Sequence, residues 1–207
     1  MEKSGLPELD IANLVSFSVF AFVTAITPGP NNLLLSVSGA NFGLRRTLPH
    51  IYGVVSGFTF VVLIACLGLG WLLTHIPLLH QFLKVAGIIV ITYLAFRIWN
   101  MGSLDDKSSD HPITFFEAFL FQWVNPKGML VIITAISTYT NPNSSLTETF
   151  VPIIVIFFLV AWLSALIWAY SGVFIGKFLS FGKRQMWFNR ISSILLITAI
   201  LPVITQL

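Results

Sequence analysis

The chain has 207 residues, of which 56% are apolar and only 9% are charged. An average soluble domain carries about 25% charged residues, so this composition excludes a water-soluble globule. The apolar residues form runs long enough for helices, which predicts an all-α integral membrane protein. At about 20 residues per span, the length allows about six helices in a single membrane domain, residues 1–207.

The net charge of +3 does not indicate a nucleic-acid partner, because the basic residues form no stripe interleaved with aromatic residues. The single cysteine, Cys66, lies inside an apolar run and provides neither a disulfide framework nor a thiolate metal site. The four histidines lie at span ends or in loops, with no second ligand one turn away. We therefore predict no metal site and no cofactor.

Apolar runs follow one another along the chain. They cover about residues 11–40, 49–73, 82–99, 113–139, 150–176 and 191–204. A polar, acidic linker at residues 102–112 separates a first half, residues 11–101, from a second half, residues 113–207. Each half holds three of the predicted spans.

The basic residues predict the orientation. Eight of the eleven follow the first, third and fifth spans, which places these loops in the cytoplasm and both termini outside. The leader, residues 1–10, lacks the pattern of a cleaved signal peptide, and we expect it to be retained. Because each half has an odd number of spans, the halves enter the membrane from opposite sides. The fold predicted is six transmembrane helices arranged as two inverted three-helix repeats.

The first and fourth runs are both interrupted near their centres, by Thr27-Pro28-Gly29-Pro30-Asn31-Asn32 and by Asn125-Pro126-Lys127. Proline has no N–H to donate and displaces the carbonyl four residues earlier. Non-helical backbone at membrane depth persists only where it faces protein or a water-filled cavity. We therefore expect two broken helices that share a cavity. The carbonyls freed by the prolines are those of Thr24, Ile26 and Gln122.

These breaks offer complementary groups. Freed carbonyls accept from an ammonium group, and the N–H groups that open the next half-helix suit a carboxylate. Asn31 and Asn32 either cap the second half-helix or line the site. Lys127, predicted near the bilayer centre, is either a functional residue or a side chain that snorkels to the interface. The predicted substrate-binding residues are Thr27, Pro28, Gly29, Pro30, Asn31, Asn32, Asn125, Pro126 and Lys127.

Other polar and small residues near the span ends have structural interpretations. Glu117 lies about one turn from the cytoplasmic start of the fourth span, where an interfacial acid is expected. Two glycine pairs, Gly53 with Gly57 and Gly172 with Gly176, have the spacing that lets helices approach closely. We predict one of two contacts for these glycines: the two pairs pack against each other, or they form the interface of a homodimer.

The stretch Ile26 to Leu33, the Gly-Leu-Arg-Arg block at residues 43–46, Gly53, and the later Asn-Pro-Lys block at residues 125–127 together resemble the LysE/RhtB family of bacterial amino-acid exporters. The resemblance covers nearly the whole chain. It implies a six-helix inner-membrane exporter driven by the proton gradient. The first block is most similar to members that export cysteine, O-acetylserine, homoserine or similar small amino acids. Glu117 departs from the family, where many relatives carry a small residue.

From these patterns and the resemblance we expect a secondary transporter, not an enzyme, that exports small amino acids or their derivatives by alternating access and antiport. Its partners would be the amino-acid substrate, protons and the lipid bilayer. Two alternatives stay open: an inorganic ion exporter of related architecture, and a membrane subunit that assists assembly of a partner complex without transporting anything.

Overall fold

The structure, a computed structural model, describes residues 11–69, 77–101, 111–140, 146–179 and 183–205. The regular structure in these ranges is helical, which confirms the predicted all-α class. The predicted leader and most of the predicted linker lie outside the described residues. The helices are α1 (Ile11–Ile26), α2 (Pro30–Ile64), a π-helical turn (Ala65–Leu69), α3 (Pro77–Asn100), α4 (Phe115–Phe121), α5 (Pro126–Tyr139), α6 (Leu146–Leu179) and α7 (Arg184–Ile204).

Several helices are long and apolar enough to cross a membrane. In the described ranges these are Pro30–Gly68, Gln81–Asn100 and Phe150–Leu179. The α4 and α5 helices form a fourth candidate if they are one span bent by 53°. The α1 helix is apolar but has only 16 residues. The number of six crossings stays a prediction.

The α2 helix folds back on itself at Gly43, whose φ of +75° lies in the region that favours glycine. Ser38 Oγ and His50 Nδ1 are 2.9 Å apart, although twelve residues of straight helix span about 18 Å. The chain must therefore reverse between these two residues. We call residues 30–42 the first segment of α2 and residues 44–64 its second segment; the predicted boundary between the first two runs falls between them.

Glycines let these segments pack closely on other helices, because a Cβ at each glycine would collide with the backbone oxygen of the neighbouring helix. The pairs are Gly53 with Phe115, Gly57 with Phe119, Gly172 with Ser36 and Gly176 with Ala40. Where two contacts join the same two helices, the residue numbers increase in the same direction along both. The first segment of α2 therefore runs parallel to α6, and the second runs parallel to α4. Because each glycine pair contacts a different helix of the same chain, the two pairs do not pack against each other, and that predicted contact is wrong. A homodimer itself stays a prediction.

The same pairings relate the two halves of the chain. The first predicted span packs on the fifth, and the fourth packs on the second. If each span is replaced by its counterpart in the other half, first by fourth and fifth by second, the first of these pairings becomes the second. The third and sixth, α3 and α7, pack antiparallel: Ser193 Oγ donates to Ala95 O at 2.7 Å and Asn189 Nδ2 to Met101 O at 3.1 Å. This reciprocity is what an inverted repeat requires; the repeat remains a prediction.

Glu117 has a structural role at the start of α4. Its carboxylate accepts from the backbone N–H of Thr114 at 2.7 Å, and its own N–H donates to the Thr114 hydroxyl, which forms a capping box. Arg97, in the last turn of α3, donates to the same carboxylate at 2.8 Å. These contacts agree with its interpretation as an interfacial acid.

Candidate functional site

The two predicted breaks lie side by side. The α1 helix ends at Ile26 and α2 begins at Pro30, while α4 ends at Phe121 and α5 begins at Pro126. The amides of Asn31 and Gln122 join them: Asn31 Nδ2 donates to Gln122 Oε1 at 2.6 Å, and Gln122 Nε2 donates to Asn31 Oδ1 at 3.1 Å. Segments 91 residues apart in sequence are thus held together at their interruptions.

Lys127 crosses from the second break to the first. Its Nζ donates to Thr27 O at 2.6 Å, to Thr27 Oγ1 at 2.9 Å and to Pro28 O at 3.4 Å. Gly29 makes this possible, because a Cβ there would lie 2.6 Å from Lys127 Cδ. Lys127 is half-buried and directed at backbone oxygens of the same chain, which is not the geometry of a side chain that snorkels to an interface.

The carbonyls at the end of α1 all have partners. Asn32 Nδ2 donates to Ala25 O at 2.7 Å and to Thr27 O at 2.8 Å, so this amide ties back to α1 and does not cap α2. The remaining donors come from Thr27 itself and from two α6 residues. These bonds are Thr27 Oγ1 to Thr24 O at 2.9 Å, Ser164 Oγ to Ala25 O at 2.8 Å and Trp168 Nε1 to Ile26 O at 3.2 Å.

Sequence reasoning did not find Ser164, Trp168 or the side chain of Gln122. Gln122 is 2% exposed, and its Nε2 also donates to Ala118 O at 2.8 Å. The sequence offered one signal for these residues: each is a side chain with a hydrogen-bonding group inside an apolar run. Their positions opposite the breaks follow from packing between distant segments, which the local pattern does not contain.

Asn125 precedes Pro126 at the start of α5. Its side chain makes no capping bond, it is 4% exposed, and its Oδ1 is buried without a hydrogen-bond partner. An unsatisfied buried acceptor costs about 1–3 kcal/mol. Among the predicted site residues, Asn125 therefore has a side-chain acceptor that a bound donor would satisfy.

A cavity of about 80 Å³ lies between the breaks. One water needs about 10–15 Å³ by the same kind of measure, so a small solute fits. Its wall is mostly apolar, with polar groups from the two breaks and from α6. The lining residues are Ala21, Thr24, Ala25, Gly29, Asn31, Asn32, Leu35, Val54, Phe58, Asn125, Lys127, Gly128, Val131, Phe157, Val160, Ala161, Ser164 and Ala165. Of the nine predicted binding residues, Gly29, Asn31, Asn32, Asn125 and Lys127 belong to this set.

The cavity wall holds groups that suit an anion. Both α2 and α5 begin at it, and their first N–H groups have no carbonyl one turn earlier in the helix. Within the described part of the chain, no carboxylate pairs with Lys127, since Glu117 pairs with Arg97. A cavity with one cationic side chain and two helix N-termini favours a ligand that carries a carboxylate. The described residues hold no group of three His, Cys, Asp or Glu side chains that could bind a metal ion.

A cluster of aromatic rings contributes to the cavity wall. Phe58 and Phe157, both in its wall, are 5.5 Å apart between ring centroids. Phe157 also contacts Phe17 at 5.0 Å, and Phe17 contacts Tyr139 at 5.1 Å. Phe17 lies in α1 ahead of the first break, on the side that the predicted orientation places outside. The Asn31 and Gln122 pair lies after the break, toward the predicted cytoplasmic side.

The sequence identifies the class and the family of this membrane protein: residues 22–204 match the model of the LysE type translocators, to which this chain belongs. It is a multi-pass membrane protein. Among curated relatives, the cysteine/O-acetylserine efflux proteins of Escherichia coli (strain K12) and of Shigella flexneri serotype 5b (strain 8401) are each 31% identical over 173 residues, which cover 83% of this chain and 88% of the relative. No solved structure shows a significant match.

Proposed function

We propose that this protein exports small amino acids or their derivatives across the bacterial inner membrane, with the substrate held between the Thr27 to Asn32 and Asn125 to Lys127 breaks. The observation that carries the proposal is the Lys127 ammonium group, which faces the cavity with neutral oxygens as its only partners in the described residues. Efflux of cysteine and O-acetylserine, the activity named for the relatives, fits a cavity of this size and charge.

The substrate carboxylate pairs with Lys127 and with the N–H groups that open α2 and α5. The unpartnered Oδ1 of Asn125 accepts from a substrate donor. Asn31 and Asn32 face the cavity with amides already bonded to the protein, so they shape the site and present their remaining oxygen lone pairs. The prolines Pro28, Pro30 and Pro126 hold the breaks open.

Transport then proceeds by alternating access. The Phe17, Phe58 and Phe157 contacts separate when the cavity opens outward, and the Asn31 and Gln122 pair separates when it opens inward. Proton antiport supplies the driving force, the two halves form an inverted repeat, and both termini lie outside the cytoplasm. Because Lys127 is the cationic side chain in the cavity wall, it is the group that responds to substrate and proton together.

The test is counterflow of labelled O-acetylserine and cysteine in proteoliposomes that contain the purified protein alone. Lys127→Ala and Asn32→Ala should lower the initial rate at least tenfold, whereas Lys183→Ala, which removes an exposed cation outside the cavity, should leave it unchanged. An imposed proton gradient should accelerate transport, and a protonophore should abolish that acceleration.

The same vesicles separate the alternatives. Flux of a metal ion or a halide in place of amino acids would identify an inorganic ion exporter. No flux of any solute, with correctly folded protein, would favour an assembly subunit. Wild-type rates in both Lys127→Ala and Asn32→Ala would show that the site is elsewhere.

A further inference from the structure

The end of α1 forms a site for an ammonium group. The oxygen atoms of Thr27 (backbone and hydroxyl) and of Pro28 (backbone) surround Lys127 Nζ at 2.6, 2.9 and 3.4 Å. An ammonium group has three N–H donors, and here it meets three acceptors. We call these three oxygens the ammonium site.

The helix itself makes this position favourable for a cation. Carbonyl groups at the C-terminal end of a helix point away from it and carry the negative end of its dipole. At the end of α1, the carbonyls of Ala25 and Ile26 are taken by Ser164, Asn32 and Trp168. The carbonyls of Thr27 and Pro28 face Lys127, and that of Thr27 also accepts from Asn32 Nδ2 at 2.8 Å.

The ammonium site lies next to the cavity. Thr27 and Pro28 are exposed and Lys127 is half-exposed, and Lys127, together with Gly29, which follows Pro28 in the chain, lines the cavity. The Lys127 stem lies over this glycine, as close as 2.6 Å to the position that a Cβ would occupy. A free amine that arrived from the cavity would therefore meet the lysine at these same oxygens.

We propose that the ammonium site is the place of the substrate's amino group, and that Lys127 occupies it intramolecularly until the substrate displaces it. This deepens the proposed function and rests on it. When a zwitterion binds, its ammonium group takes the three oxygens and Lys127 turns to the substrate carboxylate. The site holds one positive charge before and after the exchange, so the zwitterion adds no net charge to the cavity.

The exchange defines the substrate class. A free carboxylic acid pairs with Lys127 but leaves the ammonium site empty. A simple amine takes the site but leaves Lys127 without a counter-charge in a cavity of low dielectric. Only a ligand with both groups satisfies both positions, so N-acetylated amino acids should not compete with the free amino acid.

The direct test removes the lysine and adds a small amine. In purified Lys127→Ala the ammonium site is empty, and ethylammonium chloride should raise the melting temperature saturably, by about 2–4 °C. Wild-type protein should show no such rise, because Lys127 competes from within the chain. Tetramethylammonium chloride, which has the same charge but no N–H donor, should stabilise neither protein.

A second variant locates the effect. Thr27→Val removes the hydroxyl acceptor, so the double variant Lys127→Ala with Thr27→Val should lose at least half of the ethylammonium response. Should Lys127→Ala fail to fold, its folded yield is compared after purification in ethylammonium and in tetramethylammonium. Recovery in ethylammonium alone supports the proposal.

Equal responses of wild type and Lys127→Ala, equal responses to both salts, or equal yields would overturn the ammonium site. Because melting temperature is measured without transport, this outcome is distinct from failure of the counterflow assay. The amine response can be present in a protein that transports no amino acid, and absent in one that does.

Discussion

Asn31 and Gln122 exchange two hydrogen bonds, at 2.6 and 3.1 Å, across the two interrupted helices. Each residue belongs to a different half of the chain, and Gln122 is almost completely buried. Buried amide pairs of this kind fix the relative position of the segments that carry them, because separating them leaves donors and acceptors unsatisfied. The geometry of the cavity therefore depends on a contact between the halves.

Gln122→Leu should destabilise the protein by about 1–3 kcal/mol, since it removes both hydrogen bonds to the half-buried Asn31 amide. A double-mutant cycle with Asn31→Ala should show a coupling energy of about 0.5–3 kcal/mol. The measurement is the melting temperature in detergent. Ser137→Ala removes an exposed bond within one helix and should change stability by less than about 0.5 kcal/mol. Additive effects of Gln122→Leu and Asn31→Ala would contradict the prediction.

Gly29→Ala should lower the initial rate of amino-acid counterflow at least tenfold, because the added methyl group forces the Lys127 stem off the first break. The matched control is Gly128→Ala. That glycine also lines the cavity, but its Cβ would lie at 3.4 Å or more from its neighbours, which is ordinary contact. If both alanine variants transport at the same rate, the path of the Lys127 side chain over Gly29 is unimportant.

Gly172→Val should prevent folding or cost at least about 1–3 kcal/mol, because the side chain would collide with the backbone of Ser36 in the first segment of α2. Phe174→Leu, two residues away on the exposed face of α6, is the control and should fold normally. Size-exclusion profiles of the two variants as fluorescent fusions give the comparison. A monodisperse Gly172→Val protein of wild-type melting temperature would exclude this packing.

Ser38→Ala should cost about 1–3 kcal/mol, because it removes the partner of His50 Nδ1 in a residue that is 1% exposed. Ser56→Ala, in the second segment of α2, removes only a bond to the helix's own Tyr52 carbonyl and should be nearly neutral. The measurement is the melting temperature of the two variants. Equal melting temperatures would mean that the contact between Ser38 and His50 does not stabilise the chain reversal at Gly43.

The two breaks were predictable because their cause is local. Pro28, Pro30 and Pro126 cannot donate the hydrogen bond that a helix interior requires, and this holds wherever the chain folds. The α1 helix accordingly ends shortly before Pro28, and α2 and α5 begin at Pro30 and Pro126. The reversal at Gly43 was predictable only as the boundary between two apolar runs, since the sequence does not show how sharply the chain turns.

The partners of the breaks were not predictable for the opposite reason. Ser164 and Trp168 are 139 and 142 residues from the carbonyls that they satisfy, and no local pattern encodes such a pairing. The glycine spacing in the second and fifth spans correctly indicated close approach. It did not indicate the partner, because any helix with an accessible backbone fits a small-residue face.

The donors that satisfy the end of α1 have a consequence for how the protein is made. Asn32 is synthesised with the first break, but Lys127, Ser164 and Trp168 follow about a hundred residues or more later. Until they arrive, the nascent first half has backbone oxygens that lipid cannot satisfy. We therefore expect the first break to be completed only when the second half folds, and a ribosome that stalls before Lys127 to leave a fragment whose break lacks these three donors.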